Sequence, residues 1–411
     1  MVTERMGVGS LEKDRVFRTI FLMVVWSWAS IKVILPALPK LQHALAVDDA
    51  HIKLSVTVFL LIVSLAQLLW GALAAFYTTR RLILCGLGIA LLGSFLSMTA
   101  VTFPMYFLGR GLEGLGLGCI SPLTRALLAN IFSKREFAGR ASLLSICTAV
   151  LPAVSSLAGG YIMTLLGWRA IFACLVVLNL LVIAFTLKYV RELPAAALPL
   201  QKSKVAQVGA AYLQVLKSRC FWGFITPYAI FFGALIGFYS ASPFWFVNVF
   251  GFAHRHFSNL LLPTAAALTL GLFIARRLIR KWPIPRVMWL GLLIGAGVFA
   301  LLACFALAHV YGLWTIVVIF ALLGLAIGVV SPCANAETLT RLKTVAAPAA
   351  ALITCYVFAM SSFFSHIMMR LEVRHAEHMV YFIGLVVTVS MLTYWLLIYR
   401  RLPPHYPGQE D

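Results

Sequence analysis

Charge is scarce in this sequence, and negative charge is scarcer still. Of 411 residues only 11% are charged, and 13 Asp and Glu face 33 Lys and Arg. Soluble domains carry about 25% charged residues, so an ordinary water-soluble domain is excluded. Signature motifs of catalysis are missing as well. No GxxxxGK[ST] phosphate loop occurs, which removes ATP as a direct energy source. No HExxH or GxSxG stretch marks a membrane-embedded hydrolase, and the chain reads as no enzyme. The eight cysteines form no CxxC pair, and nearly all lie in apolar runs. They read as small buried hydrophobes, so neither a metal nor a cofactor is expected.

What is present is hydrocarbon. Hydrophobic residues make up 62% of the chain, and runs such as Val56–Phe76 and Trp314–Val330 are long enough to span a bilayer. A span needs roughly 20 mostly apolar residues. The pattern predicts an all-α membrane protein with twelve spans, near 17–38, 53–76, 82–101, 104–131, 141–165, 169–189, 220–248, 258–279, 287–308, 313–336, 346–369 and 377–399. The charged N-terminal arm enters an apolar stretch too long for a signal-peptide core, so it reads as a retained first helix.

The net charge of +20 does not point to nucleic acid, because the basic residues sit in short clusters between the apolar runs. With the N-terminus placed inside, 24 Lys and Arg fall on the cytoplasmic side and six outside. Lys32, Arg110 and Arg125 fall within spans. That asymmetry places both termini in the cytoplasm and gives the lipid bilayer as the main partner. Three regions follow: residues 1–190 as one six-helix bundle, 191–219 as a basic cytoplasmic linker containing Pro194 and Pro199, and 220–411 as a second six-helix bundle.

The halves repeat. Gly71–Leu82 (GALAAFYTTRRL) corresponds to Gly271–Trp282 (GLFIARRLIRKW). At an offset of 210, Gly114-Leu-Gly-Leu-Gly118-Cys-Ile-Ser121-Pro122 matches Gly324-Leu-Ala-Ile-Gly328-Val-Val-Ser331-Pro332. Two matches in the same topological order are what pseudo-symmetric halves produce.

These residues resemble the major facilitator superfamily, and within it the twelve-helix drug:proton antiporters of the Bcr/CflA type. Arg110-Gly-Leu-Glu113-Gly114-Leu-Gly116 is similar to the family's RxxQGxG motif, and Ala149–Gly160, containing Pro152, Gly159 and Gly160, to its antiporter motif. Gly167–Phe172, Ser240–Phe244 with Phe250-Gly-Phe252, and Leu35–Pro39 resemble further helix ends of that family. The resemblance implies a secondary transporter of a bacterial-type inner membrane working by alternating access, with Gly71, Arg80, Arg81 and Gly114 as gate or motif positions. The sequence also departs from the pattern. Ala75 and Thr78 stand where an Asp and a Gly are usual, Ser155-Ser156 replaces Gly-Pro, and Lys32 replaces an acidic residue.

An ionisable residue inside a span is a functional candidate by default. Arg110 lies about 10 Å into the fourth span, with Glu113 one turn on. The pair can fix helix packing, or it can carry proton coupling. Phe320 and Leu323 occupy the equivalent positions of the second half, so the architecture does not demand charge there. Lys32 can snorkel or pair with Glu113, or it can line a cavity and, with Arg110, attract an anionic group. Trp28, Phe238 and Tyr239 are aromatic candidates for substrate contact, or for packing. Arg125 and Glu337 suit an interface, and His366 suits packing.

The expected function is proton-coupled export of a small amphiphilic or anionic compound by a monomer. Alternatives are an importer or uniporter of a carboxylate or siderophore, a cationic multidrug pump, and a non-transporting sensor or scaffold.

Overall fold

Proline and glycine decide where these apolar helices stop, break and touch. The computed structural model describes residues 10–132, 134–191, 202–251, 258–310, 312–342, 345–371 and 375–401. Both chain ends, Pro194, Pro199, Phe252, Arg255, Lys343 and Arg374 lie outside the described residues. The helices are α1 (Ser10–Lys32), α2 (Leu38–Ala44), α3 (Asp49–Leu73), α4 (Thr79–Met98), α5 (Phe103–Leu117), α6 (Ile120–Ile131), α7 (Lys134–Leu166) and α8 (Trp168–Tyr189). They continue with α9 (Lys202–Leu216), α10 (Arg219–Pro243), α11 (Leu262–Leu278), α12 (Ile284–Leu307), α13 (Leu313–Arg341), α14 (Ala346–Arg370) and α15 (Ala376–Leu397). No strand occurs among the described residues. In hydrocarbon every backbone polar group must be satisfied within its own segment, and the helix does this.

Ten stretches among the described residues are long and apolar enough to cross a membrane. The other two of the expected twelve are special cases. The apolar part of α7, Val150–Leu166, is shorter, and the fourth span is split into α5 and α6 at Gly118 and Cys119. Pro122 follows the break and has no N–H for the Gly118 carbonyl. The amides at the break remain paired: Gly118 donates to the Gly114 carbonyl at 3.1 Å and Cys119 to that of Gly116 at 3.2 Å. The matching Pro332 sits inside the unbroken α13.

Two compact units divide at Val208 and Gly209, inside α9. In the first unit α1 packs on α7 and α8, α3 on α5, and α4 on α5 and α8. Pro36 ends α1, because its ring cannot donate to the Lys32 carbonyl. A 3₁₀ turn, Leu35–Ala37, then leads into α2. Asp48 caps α3 by accepting from the His51 amide at 3.0 Å, and its carboxyl is held below the ordinary value by hydrogen bonds from the His51 ring and amide. This cap therefore persists at neutral pH and is lost as pH falls through that lowered value. At the start of α1, Glu12, Lys13 and Asp14 pair with Arg191, Glu136 and Arg140. Arg140 also lies 4.6 Å over Phe17 and 4.5 Å over Phe132. Each exposed pair contributes under about 1 kcal/mol; together they tie α1 to α7 and α8.

In the second unit α10 packs on α14, α13 and α15, and α13 on α11 and α12. The Ser365 hydroxyl donates to that of Ser240 at 3.1 Å, and Tyr394 donates to the Pro285 carbonyl at 3.0 Å.

Lipid is as apolar as a leucine side chain, so helix association relies on close fit rather than water exclusion. Gly159 shows how close. A Cβ placed there would lie 1.9 Å from the Val33 carbonyl oxygen, whereas one on Gly88 would meet nothing within 4 Å. Gly159→Ala is expected to cost about 1–3 kcal/mol by overpacking, and Gly88→Ala nothing. Thermal unfolding of the detergent-purified variants measures the contrast.

Candidate functional site

The fourth span enters its bundle with Pro104 in its first turn, where a missing N–H is harmless. Arg110 and Glu113 follow at i and i+3 and so share a face. Both are withdrawn from solvent, at 4% and 0% exposure. The Arg110 Nη1 donates to Glu113 Oε2 at 2.6 Å and to the Ser30 carbonyl of α1 at 3.4 Å. The guanidinium carbon lies 3.7 Å from the centre of the Phe59 ring of α3, a cation–π contact that gains strength where water is absent. Glu113 Oε1 has no hydrogen bond, and the Ser30 and Ser94 hydroxyls face the carboxylate without closing on it. Tyr106, one turn before Arg110, is buried against Phe172 and directs its phenol toward Ser55.

The surrounding helices hold this arrangement by backbone contact. Gly93 of α4 lies so close to α5 that a Cβ there would be 2.3 Å from the Glu113 amide nitrogen. On the other side, Trp70 of α3 donates to the Leu115 carbonyl at 2.8 Å, and Gly114 lies against Phe59.

The other candidates are placed as follows. Lys32 is the last residue of α1 and is 1% exposed. Trp28, half-buried, lies one turn earlier on the same stripe. Ser30 is about 160° around the helix from Lys32 by helical periodicity, so Trp28 and Lys32 occupy a different face of α1 from the one that meets Arg110. In the second unit Phe238 is fully buried and stacks on Phe320, with centroids 4.0 Å apart and planes 5° apart. Its ring is used in packing, as is that of the buried Tyr239 beside it. Arg80 donates to the Leu187 carbonyl at 2.9 Å, tying the start of α4 to the end of α8. Arg81 is exposed and Gly71 half-buried. Pro152 lies within α7, and the carbonyl of the buried Gly160 accepts from Thr164 at 2.8 Å. Arg125 is exposed on α6 and His366 half-buried on α14. Glu337 pairs with Arg341 at 2.7 Å.

Sequence reasoning did not single out Ser30, Ser94, Phe59 or Tyr106. A serine in an apolar run is an ordinary helix residue, and nothing in its spacing reports a neighbour on another helix. No group of three or more His, Cys, Asp or Glu that could hold a metal occurs among the described residues.

A buried Arg–Glu pair thus lies inside a two-unit helical fold, next to a motif repeated in both halves. Residues 20–343 match the family model for the Major Facilitator Superfamily. The chain belongs to the major facilitator superfamily.

Relatives in this superfamily include a chloramphenicol resistance protein of Pseudomonas aeruginosa, 31% identical over 68% of this chain and 66% of its own. A bicyclomycin resistance protein homolog of Haemophilus influenzae is 23% identical over 90% of this chain and 93% of its own. The chain covers 62% of the length of a Bacillus subtilis MFS-type transporter, YdgK, at 26% identity. Among solved structures, a POT family transporter in complex with 5-aminolevulinic acid superposes over 94% of this major facilitator chain and 97% of its own, with TM-score 0.76 and 11% identity. At that identity the likeness is one of fold.

The pair predicts a thermodynamic asymmetry. Arg110→Leu alone leaves a buried carboxylate uncompensated and is expected to cost on the order of 3 kcal/mol. The double change Arg110→Phe with Glu113→Leu copies the second half and is expected to recover most of that loss. Thermal unfolding of the two purified variants checks it.

Proposed function

We propose that this chain is a proton-coupled exporter of small amphiphilic or anionic compounds in a bacterial-type inner membrane. It works as a monomer with both termini cytoplasmic. The observation that carries the reading is the Arg110–Glu113 pair: an acid with no exposure, bonded at 2.6 Å to a guanidinium in mid-span, where the second half has Phe320 and Leu323. The resistance proteins among its relatives support export.

The mechanism follows from charge balance. When Glu113 takes a proton, Arg110 loses its counter-charge, and a lone buried cation costs several kcal/mol. That penalty favours a second arrangement of the helices in which the guanidinium finds another partner or water. Release of the proton on the other side restores the pair and the first arrangement. A ligand or proton shifts such an equilibrium only through its different affinity for the two states, and here the difference resides in one ion pair. One proton moving through 100 mV and one pH unit releases about 3.7 kcal/mol. That suffices to concentrate a neutral solute about 500-fold.

The buried Lys32 favours a second reading of substrate charge, in which a carboxylate is the cargo.

Proteoliposomes loaded at one pH and diluted into another test the proposal with radiolabelled chloramphenicol and, in parallel, citrate as probes. Gradient-dependent accumulation of chloramphenicol is expected in the wild type, falling at least about tenfold in Glu113→Gln, as loss of a coupling group requires. Accumulation indifferent to the pH gradient overturns the coupling. Movement of citrate alone transfers the assignment to a carboxylate carrier.

A further inference from the structure

The Arg110–Glu113 pair uses only one of the two carboxylate oxygens. Oε2 receives the guanidinium hydrogen at 2.6 Å, while the buried Oε1 receives none. Two hydroxyls stand beside it. Ser30 on α1 and Ser94 on α4 are each 0% exposed, both face the Glu113 carboxylate, and neither hydroxyl has a hydrogen-bond partner.

Ser97, Thr264 and Thr338 share that condition; what sets Ser30 and Ser94 apart is the carboxylate they face. Serine and threonine in helices commonly bond back to the carbonyl four residues earlier. Thr19, Thr124, Ser240 and Ser361 all do so here. Ser30 and Ser94 do not, although a rotation about one bond would allow it. Nor can Ser94 retreat, because the Gly93 backbone beside it is seated directly on that of Glu113.

A hydroxyl is the one small side chain that both gives and takes a hydrogen bond. Toward an ionised carboxylate it donates; toward the protonated acid it accepts. Two such groups at a dry carboxyl let it change charge without leaving an unsatisfied partner. Close packing alone would be served equally well by alanine at both positions.

We propose that Ser30 and Ser94 are positioning residues for Glu113, holding its carboxyl in both charge states and setting the pH at which it takes up its proton. This inference rests on the reading of Glu113 as the coupling group. The charged group acting on that carboxylate is Arg110 of its own helix, and the Tyr106 phenol lies within reach of the pair. From α3 it is faced by the uncharged Phe59 and Ser55 through Arg110 and Tyr106. From α1 and α4 it is faced by the two serines; Lys32 lies two residues beyond Ser30.

Infrared difference spectroscopy of the full chain in lipid, titrated between about pH 4 and pH 9, tests the proposal without a known substrate. The Glu113 carboxyl band is assigned by its loss in Glu113→Gln. A hydrogen bond to the charged carboxylate exceeds one to the neutral acid by about 1 kcal/mol, which is a little under one pH unit. Ser94→Ala and Ser30→Ala should each therefore raise the midpoint of that band by about that much and move its frequency upward. Ser94→Thr and Ser30→Thr, which keep the hydroxyl, should stay near the wild type. An unchanged midpoint in either alanine variant overturns the role of that serine, with the coupling reading left standing. A wild-type chain with no titrating Glu113 band overturns the coupling reading as well. The two positions are independent, so each alanine variant that folds decides for its own serine.

Discussion

One constraint governs this molecule: a charge held in a dry, helical interior needs its counter-charge within hydrogen-bond reach. Arg110 and Glu113 meet it on a single helix turn, at 2.6 Å and with almost no exposure. The rest of the first unit is arranged around that turn. Phe59 provides a ring face for the guanidinium, the Ser30 carbonyl provides an acceptor, and glycines bring α3 and α4 to the backbone of α5. In the second half Phe320, at the position equivalent to Arg110, stacks on Phe238 instead.

The same repeated motif serves different ends in the two units. Gly114 and Gly324 both lie against the second span of their own half, at Phe59 and Thr264. The motif is thus a packing device first. The fourth span of the first unit is divided just before the motif's proline, while α13 runs unbroken through the matching Pro332. A helix divided just beyond a buried ion pair has fewer backbone bonds to break when it bends, and splitting next to Glu113 concentrates that freedom beside the titratable group.

Much of the architecture was legible in the residues. Hydrocarbon length, loop charge and the offset of 210 between the halves determine span number and order, because a bilayer imposes a fixed thickness and tolerates only self-satisfied backbone. The boundaries came out within a few residues for α3, α4, α8 and α12 to α15. The start of α7 at Lys134 lies earlier than its apolar run suggests, because amphipathic ends extend beyond the hydrocarbon and pair with the start of α1.

Less of the site was legible. The charge pattern singles out Arg110 and Glu113, since ionisable residues are rare in spans and three residues apart they share a face. It also singles out Lys32, but not that Lys32 and Trp28 occupy a different stripe of α1 from Ser30. The aromatic count of the seventh span raised Phe238 as a substrate contact or a packing residue, and one face of its ring is stacked on Phe320.

By itself, then, the amino-acid order determined the membrane class, the family, the twelve-span count and the placing of Arg110 and Glu113 on one helix face, all properties of one helix or of spacing along the chain. Only the tertiary structure decided which hydroxyls and rings surround Glu113. Ser30, Phe59 and Ser94 lie on three other helices, and their meeting depends on glycine-to-backbone contacts whose geometry no local pattern encodes.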